Sequence, residues 1–346
     1  MANQHYRFRQ AAPDQNGLVI GLLPEMSDRE YHSNPLPYPA LTQSINKVLV
    51  SEDQTPAHAK HKMDGGWSEP TPQMEEGTVW HAIVQGRGHE LDVIESGEVT
   101  NKNGDPVCDF KSDAAKERQQ QARAQGKVAV FREKYDRIAE AARSVRHAIE
   151  AQYRLSFSED CLFEKAFAWR EEAANGVIVG CRCKTDIIVD PVDEWGLLRI
   201  IDLKFVECAS PRVVANAIAS FCYEGQGYSY SRAVSICADL NYTPQYTLAC
   251  VEREDPHLVS FHELTPELYE DGAVQWHVGV NRFAQCLKSG RWPGYQEEGH
   301  FHQPQQPAWK RRWIEKLREE LDGVEPQGSP LAHDEVQAGE LGGFDF

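Results

Sequence analysis

The feature that most constrains this chain is a pair of aspartates, Asp186 and Asp202, each set inside a strand-like apolar run, GVIVGCRCKTDIIVD and GLLRIIDLKFV. Strands of this composition are at least half buried, and an isolated carboxylate there is driven to its neutral form unless it is paired or bound to a metal. Lys204 stands two residues beyond Asp202 and therefore on the same face. Two carboxylates on adjacent strands with a lysine beside them make a compact charged cluster.

Such a cluster suits Mg²⁺, which takes a few carboxylate oxygens and keeps waters or phosphate oxygens in its remaining positions. Phosphodiester hydrolysis is the chemistry that fits, with the cation polarising the phosphate and generating hydroxide, and Lys204 orienting the attacking water or offsetting negative charge. Asp…Asp-x-Lys is a short pattern, however, and a salt bridge at a strand end accounts for it equally well.

The neighbouring runs limit the fold. CLFEKAFAWRE and the two aspartate runs read as three strands of an antiparallel meander or hairpin pair, separated by Asn175-Gly176 and by Asp190 to Trp195. Residues 38–50 and 75–84 read as helices, 112–154 as one or two amphipathic helices, 211–239 as helix, 245–252 as a strand and 266–287 as helix. The segment 309–321 reads as a short charged helix, and the Gly/Glu-rich sequence beyond it as disordered. Alternating helical and strand patterns of this kind predict an α/β protein with a central mixed sheet flanked by helices.

Lys and Arg number 36 against 53 Asp and Glu, a net charge of −17. That argues against a nucleic-acid partner only as an average. The sequence after Arg318 holds acids and no Lys or Arg, whereas 111–154 is basic, from Lys111 and Lys116 to Arg146 and Arg154. Those helices are candidates to line a DNA channel, or to form a solvated face of ion pairs. Nine scattered cysteines suit buried thiols in a reducing cytoplasm. The polar start and the lack of any apolar run of about 18 residues lead us to expect a cytoplasmic protein without a membrane partner.

Other positions complete the pattern. Gly77-Thr78-Val79-Trp80-His81 lies upstream, Glu164 opens a strand, and Gln226 and Tyr230 share a helix face four residues apart. In this order the motifs resemble the PD-(D/E)XK nucleases, specifically the exonuclease VIII (RecE)-like nuclease domains, with RecB-type domains and lambda exonuclease as more distant relatives. MSDREYHS and YPALTQSINKVL are similar to that family's N-terminal segment, GTVWH to its Gly-x-x-x-His motif, and FEKAFAW to its glutamate strand. CRCKTDIIV and IIDLKFV resemble the aspartate strands, GQGYSYSRA the Gln-x-x-x-Tyr helix, and RWPGY the end of the domain.

The resemblance implies a restriction-endonuclease-like core over 73–300, a leader and first helix over 1–72 packed on it, and a charged helix with an acidic tail over 301–346. It implies a metal held by His81, Asp186, Asp202 and the Leu203 carbonyl, with Glu164 in or beside its shell, Lys204 as the catalytic lysine, and Gln226 and Tyr230 positioning DNA. The cofactor would be Mg²⁺, with Mn²⁺ as a substitute. The activity would be 5′-to-3′ digestion of one strand at double-stranded DNA ends, leaving 3′ tails for a single-strand annealing protein in phage-type recombination, by a homo-oligomer. A structure-specific or single-strand endonuclease of the same fold, or a non-catalytic DNA-binding scaffold, are the alternatives. Lys184-Thr185 stands where many relatives have Arg-Pro. Some RecB-type relatives hold an iron–sulfur cluster, but Cys237, Cys250 and Cys286 lack the close spacing it needs, so no cluster is expected.

Four histidines, His58, His61, His300 and His302, form two pairs without nearby cysteines and read as solvated loops. Trp309-Lys310-Arg311-Arg312-Trp313 mixes cations with aromatics and reads as a packing element, with nucleic acid or a neighbouring subunit as the other partners. The terminal Phe344-Asp345-Phe346 reads as part of a solubilising tail, with a peptide that docks in a basic-rimmed apolar pocket as the alternative.

Overall fold

A computed structural model describes residues 8–65, 71–189, 197–296 and 299–323. The expected loop Asp190 to Trp195 and the acidic tail ending in Phe344-Asp345-Phe346 lie outside the described residues. The chain divides into two compact units, 1–295 and 296–346. In chain order the first contains β1 (Ala12–Pro13), β2 (Val19–Leu22), α1 (Asp28–His32), α2 (Gln43–Val50), α3 (Pro56–Met63), α4 (Pro72–Gln85), β3 (Leu91–Ile94), α5 (Asp113–Ala124), β4 (Val128–Phe131), α6 (Arg132–Tyr153), β5 (Cys161–Glu172), β6 (Ile178–Val189), β7 (Arg199–Val206), α7 (Pro211–Phe221), α8 (Tyr223–Cys237), β8 (Gln245–Glu252), β9 (Val259–Glu263) and α9 (Pro266–Ser289). The second contains α10 (Ala308–Gly323).

Seven strands form a mixed sheet in the order β1-β2-β5-β6-β7-β8-β9. β5, β6 and β7 are the expected antiparallel meander, while β8 lies parallel to β7. A parallel neighbour needs a crossover, and α7 and α8 supply it. The long 211–239 segment is two helices because Cys222 adopts a left-handed backbone, φ 53°, between them.

Helices cover both faces of the sheet. On one side Leu41, Ile45, Phe167, Trp169, Ile200, Leu248, Val234, Trp276 and Phe283 form the core with α2, α8 and α9. On the other, Val79, Trp80, Ile138, Val145, Ile187, Ile201 and Ala249 close it with α4 and α6. Strand alternation produces this division: Ile200 and Leu248 face one layer, Ile201 and Ala249 the other.

Two sequence expectations need correction. The spacing places Val128, Val130 and Phe131 on an amphipathic helix, but they form β4, which pairs in parallel with β3 in a separate small sheet. β-branched and aromatic residues placed between two helices satisfy either periodicity over four positions, and burial beside β3 decides for the strand. The segment 12–22 also reads as leader, yet it supplies β1 and β2, with Gly21 and Leu22 pairing to Ala168 and Phe167 at the sheet edge.

Candidate active site

The register of the meander brings three carboxylates into one row. Phe163 pairs with Ile187 and Lys165 with Thr185, so Glu164 stands opposite Asp186; Ile187 pairs with Ile201, so the next step sets Asp186 opposite Asp202. Regular pairing is interrupted at this level. Glu164 has φ 52°, a left-handed backbone that is uncommon for a residue other than glycine, and uncommon within a strand.

The slip changes which face each residue takes. Phe163 belongs to the α4/α6 core, whereas Phe167 and Trp169, equally odd-numbered, belong to the α2/α8/α9 core. Ile187 and Cys183 across the hairpin divide in the same way. A hairpin with unbroken alternation would keep each set on one side. The irregularity lets the Glu164 and Asp186 carboxylates gather at the sheet surface beside α4 rather than vanish into either core.

His81 comes from α4. Trp80 before it is fully buried and stacks on Phe205, ring centroids 4.7 Å apart and planes at 6°, fixing the helix on the sheet. His81 then faces Asp186, Nδ1 to Oδ1 3.8 Å. Ligand atoms of His81, Glu164 and Asp186 all lie within 4.8 Å of one another. One imidazole with two carboxylates is a donor set for a divalent cation. Burial, more than any other influence, pushes Asp186 up to about 6; nearby His81 opposes the shift, and the Asp202 charge adds to it. A carboxylate held in this way gains from a cation, so the residues fit the metal that the sequence implies.

Asp202 stands apart from that trio and is 2% exposed. Its Oδ1 accepts from Gln226 Nε2 at 2.7 Å, and its Oδ2 is ion-paired with the Lys204 ammonium. Lys204 lies over the Tyr223 ring, 4.5 Å from the centroid. Burial disfavours the ammonium charge, but Asp202, Tyr223 and Asp186 outweigh that and hold Lys204 above the usual lysine range. Leu203 meets Asp186 through its backbone N–H, which donates to Oδ2 at 2.8 Å.

Glycines explain how Gln226 reaches so deep. A Cβ at Gly227 would collide with Leu264 and come 2.9 Å from Tyr246 Cδ1, so the Gly-Gln-Gly start lets α8 lie close on β8. Tyr230, one turn on, packs edge-on to Tyr246 at 6.3 Å, and burial pushes its phenol well up. Gln226 thus touches the acid row directly, while Tyr230 sits in the packing beside it.

Sequence reasoning missed an outer ring of charge. Lys184 is ion-paired with both Glu164 and Asp28, and His89 Nε2 lies 2.8 Å from Asp28. The His89 hydrogen bond, with Lys184, lowers Asp28 well below the ordinary carboxylate range against the effect of burial. Ser27 and Glu30 form a capping box that starts α1 beside Asp28. That S-x-x-E pattern is the one local signal for a helix start here.

A cleft of about 380 Å³ opens on the trio, lined by Asp28, Thr78, His81, Arg87, Glu164 and Asp186 among others. A neighbouring cleft shares Asp28, Arg87, His89, Glu164 and Lys184 and continues past Arg29. Several basic side chains on and between helices α5 and α6 are ion-paired. Arg118 pairs with Asp92, Arg123 with Glu75, Lys127 with Glu90, Arg132 with Glu95 and Lys134 with Glu76. The solvated, ion-paired reading therefore describes these side chains.

This architecture defines a PD-(D/E)XK-like domain: a mixed sheet between helical layers, with an acid-acid-lysine row on its central strands. A family model described as "PDDEXK-like domain of unknown function (DUF3799)" matches residues 46–303, and the chain belongs to that family. A search of curated proteins finds no match. Among solved structures, the chain is similar to a candidate exonuclease from Eubacterium rectale, with 11% identity, TM-score 0.49, and coverage of 87% of this chain and 100% of that one. SSO0001 is similar at 9% identity and TM-score 0.26, with 60% and 84% covered. Among the described residues no helix is long and apolar enough to cross a membrane.

Proposed function

We propose that the protein is a Mg²⁺-dependent deoxyribonuclease, with Mn²⁺ as a substitute, acting as a RecE-like 5′-to-3′ exonuclease on linear double-stranded DNA. Its product would be a 3′ single-stranded tail for strand annealing in recombination. The observation that carries the nuclease reading is the convergence of His81, Glu164 and Asp186 beside the Asp202–Lys204 ion pair. Membership of a PDDEXK-like family supports it; polarity and biological role rest on the sequence resemblance.

When bound, the cation would be held by His81, Glu164 and Asp186, with Asp202 and the Leu203 carbonyl as the remaining candidates, and would supply Lewis-acid polarisation of the phosphate. Lys204 holds its proton and places positive charge where a phosphate develops negative charge. Gln226 fixes the Asp202 carboxylate, and Asp202 in turn fixes the ammonium. Arg87 lines the cleft wall and offers a cationic partner for DNA phosphates.

The test is digestion of linear duplex DNA labelled separately at its 5′ and 3′ ends, with Mg²⁺ or EDTA, for wild type, Lys204→Ala and Asp202→Ala. Metal-dependent early release of the 5′ label, lost in both variants, is expected. Cuts within closed circles would move the activity to endonuclease. A folded wild type that binds DNA but cleaves nothing in Mg²⁺ or Mn²⁺ would make it a scaffold.

A further inference from the structure

Helix α10 carries an exposed apolar stripe. Trp309, Trp313, Leu317 and Leu321 recur at four-residue spacing and are 65%, 46%, 39% and 73% exposed. At about 100° per residue these four, with Ile314, fall within about 140° of the helix circumference. A stripe of that width on a helix of sixteen residues is a contact face.

The charges around the stripe are distributed unusually. Lys310, Arg311 and Arg312 fill the first turn, Glu319, Glu320 and Asp322 the last; no acid lies in the first turn and no base in the last. The helix dipole favours the opposite arrangement at both ends. The isolated helix is therefore weakened by its own charges, and a partner that reverses the polarity would recover the loss.

A second copy of α10, running antiparallel, does this for the charged pair that lies at the stripe. When Trp309 faces Leu321 of the other copy, the same register sets Trp313 against Leu317 and Lys310 against Glu320, since each pair of numbers sums to 630. Lys310 and Glu320 both project at the stripe rather than behind it, at about 100° and 20° on the same wheel. A parallel pair would instead bring the three cations together at one end and the acids together at the other.

We propose that α10 is a self-association element through which two copies of this protein form an antiparallel, two-fold symmetric helix pair. The apolar stripe supplies the attraction, and the Lys310–Glu320 pair, made twice by symmetry, sets direction and register. This proposal is independent of the nuclease reading. It gives Trp309-Lys310-Arg311-Arg312-Trp313 a partner of the same sequence rather than DNA.

Sedimentation equilibrium of the full chain tests it. Wild type is expected to show a concentration-dependent monomer–dimer equilibrium. Lys310→Glu and Glu320→Lys should each weaken it at least about ten-fold, because each places like charges opposite twice, and the double exchange Lys310→Glu/Glu320→Lys should restore it. Leu317→Glu should leave a monomer with unchanged circular dichroism of the main domain. A wild type that stays monomeric at about 100 µM, a concentration at which a pair with a Kd near about 1 µM is largely dimeric, would overturn the proposal. So would single reversals without effect, or a double exchange that fails to restore association. Association of wild type that requires added DNA would assign the stripe to nucleic acid and likewise overturn it.

Discussion

Gln226 Nε2 donates a 2.7 Å hydrogen bond to Asp202 Oδ1, joining α8 to the buried end of the acid row. A carboxylate that loses such a donor in the interior keeps its desolvation cost without the compensating bond. Gln226→Ala is expected to destabilise the protein by about 1.5–3 kcal/mol and to lower turnover more than DNA affinity. Gln226→Glu should be worse, since it sets a second acid against Asp202. Urea denaturation with single-turnover cleavage checks both.

The Lys204–Asp202 pair has its acid almost wholly buried. Removing one partner leaves an uncompensated charge, which costs about 3–5 kcal/mol. Lys204→Met should therefore be strongly destabilised as well as inactive, while Lys204→Met/Asp202→Asn should recover much of the stability and none of the activity. A double-mutant cycle by denaturant midpoint measures the coupling; independent, additive losses would contradict it.

Asp186 binds its proton more tightly in the folded protein than the ordinary value of 3.8 would give, up to about 6. A raised acid of this kind stabilises the fold while protonated, so the metal-free protein should lose stability as pH rises from about 4 through about 6. Asp186→Asn should remove that loss and raise the Tm at pH 8 by a few degrees. In wild type, Mn²⁺ binding followed by calorimetry should weaken as pH falls through the same range, because the proton and the cation compete for the carboxylate.

Glu164 adopts a left-handed backbone inside β5. Asparagine and glycine accept that conformation, whereas a β-branched residue does so only with strain of about 1–2 kcal/mol. Glu164→Asn should lose the Lys184 ion pair and bind Mn²⁺ weakly while keeping the backbone conformation, and Glu164→Val should lose further stability. Equal denaturation midpoints for the two variants would argue against a conformational demand at this position.

Lys184 bridges Glu164 to Asp28 on α1. Because Asp28 sits below the ordinary carboxylate range, its contribution is present above about pH 4 and is lost on further acidification. Asp28→Asn is expected to loosen α1 without unfolding the sheet. Faster amide exchange over 28–32, with global stability changed by less than about 1 kcal/mol, is the measurement.

The meander was legible because its chemistry is local. Alternating apolar residues, Asn175-Gly176 at one turn, and aspartates in costly places mark β5, β6 and β7 without reference to the rest of the chain. The helix start at Asp28 was present as Ser27-x-x-Glu30, although what its acid contacts, 156 residues away on β6, was not. β4 reads as helix because four residues cannot separate the two periods, and β1 and β2, two and four residues long, are too short to carry a pattern.

By itself the sequence determined the three-strand meander, the helices on either side of it and the residue types of the candidate site: His81, Glu164, Asp186, Asp202, Lys204 and Gln226. Only the tertiary structure decided their division of labour. It grouped His81, Glu164 and Asp186 as one donor set and committed Asp202 to Gln226 and Lys204. It also paired Arg118 and Arg123 of α5 and Arg132 and Lys134 of α6 with carboxylates. The reason is that periodicity records which face a side chain takes. Strand register, a single left-handed residue at Glu164 and the close approach of α8 set which side chains meet.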